Sequence, residues 1–258
     1  IQQVVSLSKE NGGKNMIYTL DDFVREYNKI CESGWVVTHR SGPTGIGKTL
    51  EDLLGIPENN IDGPDFGDYE LKSCRLDSNS MLTIFTKTPQ PKGAANTLRM
   101  TFGYSSEAYD NDEKVLHSTL SADRFVPIAD TGRSLKIVCD PTKISIIAED
   151  GKEYAFWTRD QLKKAFEKKY KNKFVYAKAR ARGAGATEEF LFVEAYEVSG
   201  FNYEAFVDLL EHGKIYIDLR IGQYHGGAKN GQTHDHGTGF RIKEIDQPLL
   251  FKVNRRIV

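Results

Sequence analysis

This chain has few cysteines, no long apolar run and no recognisable amino-terminal leader in the sequence given. Its 258 residues include three cysteines, Cys31, Cys74 and Cys139, which are far apart and form no Cys-x-x-Cys pair. A disulfide framework and a cysteine-based zinc site are therefore disfavoured, and a reducing, cytoplasmic environment is predicted. No apolar run approaches the roughly 20 residues that a bilayer crossing needs. The absence of a leader argues against secretion, although a chain that begins without methionine leaves room for a preceding domain.

Charge is distributed unevenly along the chain. Residues 162–182 contain nine basic residues and one acidic residue, and residues 214–258 contain eight basic and four acidic residues. These segments carry +8 and +4, so the remainder carries −13 within an overall −1. Such an uneven charge distribution favours a polyanionic partner for one face of the protein. A solvated lysine-rich helix face explains the charge alone equally well.

Hydrophobic spacing predicts an α+β fold. Helices are expected at 20–33, 49–54, 159–170 and 203–212, where apolar residues recur at helical spacing and capping residues flank the runs. Strands are expected at 35–39, 69–74, 81–86, 98–102, 135–139, 144–148, 154–157, 174–177, 190–196, 214–221, 240–245 and 249–253. Residues 222–238 are expected to form a loop rich in glycine and histidine. No internal repeat divides the chain.

Gly42–Thr49 matches the spacing of a phosphate-binding loop, G-x-x-x-x-G-K-[ST]. In a nucleotide-binding protein, Lys48 and the backbone amides would hold phosphates and Thr49 would hold Mg²⁺. The following helix is short, and the next hundred residues supply strands without the alternating helices that parallel strands require. The alternative is a glycine turn that leads into the helix bearing Glu51, and no nucleotide cofactor is expected.

The segment Gly63–Lys72 contains Pro-Asp65, a four-residue spacer and then Glu70-x-Lys72. In a strand, Glu70 and Lys72 project from one face, and a turn can bring the Asp65 carboxylate back towards Glu70. Oxygen ligands of this kind suit Mg²⁺, and a neighbouring lysine can orient a water that attacks phosphorus. This arrangement is typical of PD-(D/E)xK nucleases. The pattern is short, so an exposed strand with a surface ion pair explains the spacing equally simply.

Glu51 precedes this strand on the short helix and is a candidate auxiliary acid. A role as a first-turn partner of the helix dipole is its alternative. Asp52 and Asp68 compete for similar roles and rank lower.

Two blocks of sequence together resemble the MvaI/BcnI restriction endonuclease family. The first comprises Thr44–Leu54, Pro64-Asp65 with Glu70-Leu-Lys72-Ser, and the run Leu82–Pro89. The second comprises Asp218-Leu-Arg220-Ile-Gly-Gln-Tyr224-His225 and the run Thr233–Ile242. The blocks bracket residues 35–245, whereas 104–200 match only loosely.

The resemblance implies a single nuclease domain over 1–258 with a MutH-like PD-(D/E)xK core, in which a mixed sheet is flanked by helices. A catalytic lobe at about 15–105 and a DNA-recognition lobe at about 106–258 would form a cleft for duplex DNA. It further implies a prokaryotic type II enzyme that acts as a monomer with Mg²⁺, for which Mn²⁺ can substitute, at a short, GC-rich, nearly palindromic site. A cognate methyltransferase is the expected genetic partner, and no obligate protein partner is expected.

The resemblance also assigns roles to residues. Asp65, Glu70 and Lys72 are the implied catalytic set with Glu51 as auxiliary acid, and Asp65, Glu70 and Glu51 are the implied metal ligands. Arginines of the second block can each donate two hydrogen bonds to a guanine edge, and an aspartate can accept from cytosine or orient an arginine. The implied DNA-binding residues are Asp218, Arg220, Tyr224, His225, His234, Asp235, His236 and Arg241. Lys169 and Lys173 of the basic stretch would contact phosphates.

Other functions remain open from sequence alone. A MutH-like nickase that depends on partner proteins uses the same chemistry, whereas a P-loop NTPase or a DNA-binding module with an inactive nuclease core would differ in mechanism. The histidines of the second block also suggest zinc, although His-x-His spacing without cysteine is a poor match to known zinc sites.

Overall fold

The computed structural model describes residues 17–57, 64–76, 81–105, 114–170 and 173–258. Within these residues the α-helices are α1 (Leu20–Glu32), α2 (Gly45–Leu54), α3 (Ala94–Phe102), α4 (Arg159–Lys169) and α5 (Tyr203–Glu211). The strands are β1 (Val36–Val37), β2 (Tyr69–Arg75), β3 (Leu82–Thr86), β4 (Tyr104–Ser105), β5 (Lys114–Leu120), β6 (Val126–Ile128), β7 (Arg133–Cys139), β8 (Lys143–Ala148), β9 (Glu153–Thr158), β10 (Lys173–Arg182), β11 (Glu189–Phe201), β12 (Ile215–Gln223), β13 (Thr233–Asp235), β14 (Gly239–Ile242) and β15 (Phe251–Arg256). The predicted α+β class is confirmed. None of these helices combines the length and the apolar character that a membrane crossing requires.

The chain divides into two compact units that are discontinuous in sequence. Unit 1 comprises residues 1–78, 172–199 and 254–258, and unit 2 comprises 79–171 and 200–253. These boundaries differ from those of the predicted lobes, 15–105 and 106–258. The chain enters unit 2 near residue 79, returns to unit 1 for β10 and most of β11, re-enters unit 2 at residue 200 and is again in unit 1 from residue 254. Whether a catalytic and a DNA-recognition lobe exist as functional divisions stays a prediction.

Unit 1 is built on a mixed sheet with the order β1-β11-β10-β2, and β15 also pairs with β11. Strands β10 and β2 are parallel, whereas β10 and β11 are antiparallel. Helix α1 begins with the predicted type of cap, because the Thr19 side chain accepts from the Asp22 amide while the Asp22 side chain accepts from the Thr19 amide. Its buried face, Phe23, Tyr27 and Ile30, packs into a core shared with α2 and the sheet.

Unit 2 contains a six-stranded sheet with the order β3-β14-β12-β5-β4, where β13 also pairs with β12, and an antiparallel sheet with the order β6-β7-β8-β9. A second core joins them, with Trp157 and Phe240 in edge-to-face contact. Helix α4 begins with a capping box formed by Thr158 and Gln161.

The structure corrects the sequence predictions of elements at several points. Residues 98–102 form the end of helix α3 and not a strand, since a five-residue run fits both periods. Leu98 and Phe102 are buried while Met100 is 52% exposed, so the helical spacing governs. Helix α2 begins at Gly45 rather than Thr49. Strands β4, β5 and β6 were not predicted, and residues 222–238 contain β13 instead of loop alone.

Candidate active site and nucleic-acid interface

Strand β2 presents the Glu70-x-Lys72 motif on a rigid element of unit 1. Leu71 is buried in the core, and Glu70 and Lys72 lie on the opposite face, partly exposed. The Lys72 Nζ donates a hydrogen bond to Glu70 Oε1. Because β2 pairs in parallel register with β10, Glu70 lies opposite Phe174, and Lys72 Nζ lies 6.0 Å from the centre of that ring. The sheet thus holds both motif side chains together.

A tight turn carries Asp65 back to the same strand. The Asp65 amide donates to the Tyr69 carbonyl at 2.9 Å, and Asp65 Oδ2 accepts from the Leu71 amide at 2.6 Å. The carboxylate is therefore fixed beside the backbone between Glu70 and Lys72, as the sequence predicted for a turn of this kind.

A cavity of about 400 Å³ lies against this strand. Its lining consists of Arg40, Pro43, Thr44, Ile46, Gly47, Lys48, Glu51, Pro57, Asp65, Leu71, Lys72 and Ser73. Three of the four predicted catalytic residues, Glu51, Asp65 and Lys72, therefore share one cavity. Glu70 is not among the lining residues and adjoins them through its ion pair with Lys72.

Glu51 lies in the second turn of α2, because the helix begins at Gly45 and has no acidic residue in its first turn. The alternative of a first-turn partner of the helix dipole is thereby excluded. Asp52 has a different environment: it accepts from Lys48 Nζ at 2.8 Å and contacts His39 Nδ1 at 3.0 Å. The hydrogen bond from Lys48, helped by His39, lowers the pKa of Asp52 below its usual value.

The glycine-rich loop before α2 is fixed within the protein. Thr49 is completely buried, and its hydroxyl donates to the Gly45 carbonyl at 2.8 Å while accepting from the His39 amide. It therefore cannot serve as the Mg²⁺ ligand of a phosphate-binding loop. At Gly45, a Cβ atom would lie 2.2 Å from the Arg40 carbonyl oxygen, so only glycine fits there.

Arg75, at the end of β2, secures this loop to the sheet. Its guanidinium donates to both carboxylate oxygens of Glu188, at 2.7 and 2.8 Å, and also to the carbonyls of Gly42 and Pro43. The paired hydrogen bonds give a well-defined geometry. This contact connects the loop that leads into α2, the helix of Glu51, to the end of β2.

The cavity's lining fits a hard divalent cation, since it includes two carboxylate residues, Glu51 and Asp65. Nowhere in the described ranges, however, do three His, Cys, Asp or Glu side chains gather closely enough to hold a metal ion. The predicted ligand set of Asp65, Glu70 and Glu51 is thus brought together in part, with Glu70 directed to Lys72. The same result gives no support to zinc at the histidines of unit 2.

In unit 2, the buried Asp218 carboxylate organises two predicted DNA-reading arginines. Its Oδ1 accepts from the Thr119 hydroxyl at 2.8 Å, and its Oδ2 accepts from Arg241 at 2.9 Å and lies 3.7 Å from Arg220 Nε. Arg220 also donates to the Gly237 carbonyl at 2.9 Å. Of the two roles open to Asp218, orientation of arginine is the one that these contacts favour. Both guanidinium groups are held in fixed directions.

An aromatic stack lies beside these arginines. The rings of Tyr224 and His234 are parallel with centroids 4.1 Å apart, and those of His234 and His236 are 4.0 Å apart. Partial desolvation, together with the nearby His234, His117 and Arg220, lowers the pKa of His236. The ring is therefore biased towards its neutral form, which can both donate and accept hydrogen bonds.

The remaining predicted DNA-binding residues differ in their surroundings. Asp235 is engaged in its own turn, where it accepts from the Gly237 amide and the Thr238 hydroxyl. His225 is exposed in the segment after β12. Lys169 ends α4 in unit 2, whereas Lys173 begins β10 in unit 1, and both are exposed. A DNA-binding role for each stays a prediction.

Lys48 was not proposed as an active-site residue from the sequence, although it lines the same cavity as Glu51. Lys48 and Glu51 are three residues apart, which places both side chains on one face of α2. This spacing could have indicated from the sequence that Lys48 lies near Glu51. The phosphate-loop match instead assigned Lys48 to nucleotide phosphates.

Comparison with known proteins defines the class of the chain as a site-specific deoxyribonuclease. A family model described as the MvaI/BcnI restriction endonuclease family matches residues 24–251. A solved complex of restriction endonuclease MvaI with its cognate DNA substrate is similar over 95% of this chain and 100% of that chain, with 31% sequence identity and a TM-score of 0.77. MvaI in the absence of DNA matches over the same shares with 30% identity and a TM-score of 0.60. Among curated proteins, no significant match was found.

The chain belongs to the MvaI/BcnI restriction endonuclease family.

Proposed function

We propose that this protein is a type II restriction endonuclease that hydrolyses phosphodiester bonds of double-stranded DNA at a short, GC-rich, nearly palindromic site. The observation that carries the proposal is the cavity on β2 shared by Glu51, Asp65 and Lys72, with Glu70 paired to Lys72, in a chain of this family. The proposed enzyme acts in the prokaryotic cytoplasm as a monomer that cuts the two strands in turn. A cognate methyltransferase would protect the host's own sites.

Each residue of the cavity has a proposed task. The carboxylates of Glu51, Asp65 and Glu70 would hold Mg²⁺, or Mn²⁺ in its place. When bound, the ion would supply Lewis-acid stabilisation of the charge that develops on the phosphate oxygens. The Lys72 ammonium, which is held by Glu70, would orient the attacking water and donate a hydrogen bond towards the reacting phosphate. The water oxygen bonds to phosphorus as the bond to the leaving oxygen breaks, while the attacking water releases a proton to solvent and the leaving oxygen takes one up from solvent.

The tasks proposed in unit 2 concern recognition. Arg220 and Arg241, oriented by Asp218, would read guanine edges, because an arginine can donate two parallel hydrogen bonds to guanine O6 and N7. The stacked Tyr224 and His234, with His225, Asp235 and His236 nearby, would contact bases or backbone. Lys169 and Lys173 would contact phosphates, which position the enzyme without specifying sequence.

The test is cleavage of plasmid and phage DNA by purified protein with Mg²⁺ and without ATP. We expect discrete fragments with uniform ends, and EDTA should abolish the reaction while sequencing of the ends defines the site. Accumulation of nicked circles alone would favour a nickase, and a requirement for ATP would favour an NTPase. Either result, or cleavage that continues in excess EDTA, would contradict the proposal.

A further inference from the structure

Strand β5 lies next to β12 in the six-stranded sheet of unit 2 and carries His117, a residue that the predicted DNA-binding positions do not include. The two strands are antiparallel, with His117 opposite Arg220 and Thr119 opposite Asp218. Residues that are directly opposite each other in such a pair project from the same face of the sheet, with their Cβ atoms about 4.5–5.5 Å apart. The register therefore places His117 beside Arg220.

One side-chain contact establishes which face of β5 His117 occupies. The Thr119 hydroxyl donates to Asp218 Oδ1 at 2.8 Å, so these two side chains lie on one face. His117 is two residues from Thr119 and projects from that same face, because side chains alternate along a strand. Leu116 and Leu120 lie on the opposite face and are completely buried in the core. His117 therefore shares the face of the sheet on which Asp218 orients the arginines of β12 and β14.

The His117 ring is exposed on this face and is not engaged within the protein. Its backbone carbonyl accepts from the Tyr104 hydroxyl at 3.5 Å, whereas the imidazole has no hydrogen-bond partner among the residues that the structure describes. The ring lies near enough to His236 to contribute to the lowered pKa of that residue, so it adjoins the aromatic stack. His117 is thus a hydrogen-bonding side chain whose neighbours are the proposed recognition residues.

We propose that His117 is a specificity-determining residue that reads a base edge of bound DNA beside Arg220. The inference rests on the proposed function, in which Arg220 and Arg241 contact guanine edges. A neutral imidazole donates through one nitrogen and accepts through the other, so it can pair with a purine N7, with guanine O6, with thymine O4 or with a base amino group. Neighbouring strands are about 4.8 Å apart and successive base pairs about 3.4 Å. His117 therefore reaches a base pair within about two steps of the one that Arg220 reads.

The test is the cleavage preference of His117→Ala, measured by sequencing the ends cut from duplex libraries in which each base pair of the site is randomised in turn. The parent should prefer one base pair at the position that His117 reads. We expect the variant to lose about 5- to 100-fold of that preference, since one mismatched pair costs this much in specific complexes. Preferences at the other positions should stay as in the parent. The relaxed position should lie within about two base pairs of the one relaxed by Arg220→Met.

His212→Ala is the matched control, because it makes the same substitution at an exposed histidine of unit 2, immediately after α5. It should keep the parent's preference at every position. A second variant, His117→Phe, keeps a planar ring of high strand propensity and removes both ring nitrogens. If its urea unfolding midpoint equals that of the parent, relaxation at the same single position comes from the lost nitrogens and not from misfolding of β5.

Three results would overturn the inference. Uniform weakening of cleavage across all sequences would indicate a phosphate contact, because phosphates carry no sequence information. Preferences lost at several positions at once would indicate a structural role for His117 in the sheet. Unchanged preferences in both His117 variants would show that the ring does not read DNA. A parent protein without any sequence preference would instead overturn the proposed function, and this inference with it.

Discussion

Lys72→Met is the substitution that most directly probes the proposed chemistry. It removes the ammonium that contacts Glu70 while keeping an unbranched apolar stem near the Phe174 ring. The backbone of β2 and its pairing with β10 do not depend on the lysine head group. The change should therefore slow the proposed reaction at the phosphate and leave the fold and the proposed DNA-reading residues intact.

Lys72→Met should have a large effect on the rate of cleavage and a small effect on the free energy of unfolding. Loss of one group that stabilises a transition state or assists proton transfer lowers a rate by about 10²- to 10⁴-fold. The Lys72–Glu70 pair is partly solvated, with 37% and 19% of the two side chains exposed, so its loss should change the free energy of unfolding by only about 0–1 kcal/mol. Cleavage should thus be nearly lost from a protein that is still folded.

Single-turnover cleavage of supercoiled plasmid provides the rate, and anisotropy with Ca²⁺ provides the affinity for the cognate duplex. Lys29→Met is a matched control, because Lys29 on α1 also pairs with a largely buried glutamate, Glu26, whose side chain is 18% exposed. We expect the control to cleave at the parent rate. Cleavage by Lys72→Met within tenfold of the parent would refute the catalytic assignment, as would equal losses in both variants.

The remaining predictions concern stability and protonation. The Tyr69 hydroxyl donates to Glu197 Oε1 at 2.7 Å, and burial raises the pKa of Tyr69 to about 12. Tyr69→Phe removes this hydroxyl. It should lower the free energy of unfolding by about 1.5–3 kcal/mol in urea titrations, and a change below about 0.5 kcal/mol would contradict this. His236 should titrate below its ordinary 6.5 in NMR spectra, and a midpoint above that value would contradict the described environment. The pKa of His236 is higher in the unfolded chain than in the folded protein. Its contribution to the free energy of unfolding should therefore be fully present above pH 6.5 and should decrease as the pH falls below that value.

Local sequence determined several features without reference to the rest of the chain. The caps of α1 and α4 were readable because a capping box involves residues only three apart, and the alternation of β2 followed from a period of two. The turn from Asp65 to Tyr69 is equally local. Family membership was recognisable because two ordered blocks, rather than one short pattern, carried the resemblance.

Only the tertiary structure decided what depends on partners distant in sequence. Leu98–Phe102 fits both a strand and a helix period, and burial of Leu98 and Phe102 in the core of unit 2 selected the helix. The roles of Thr49 and Asp218 follow from their hydrogen-bond partners, which are the Gly45 carbonyl and the His39 amide for Thr49, and Thr119 and the arginines for Asp218. Sequence specifies which groups can donate or accept, whereas the fold determines which of those groups come within about 3 Å of each other.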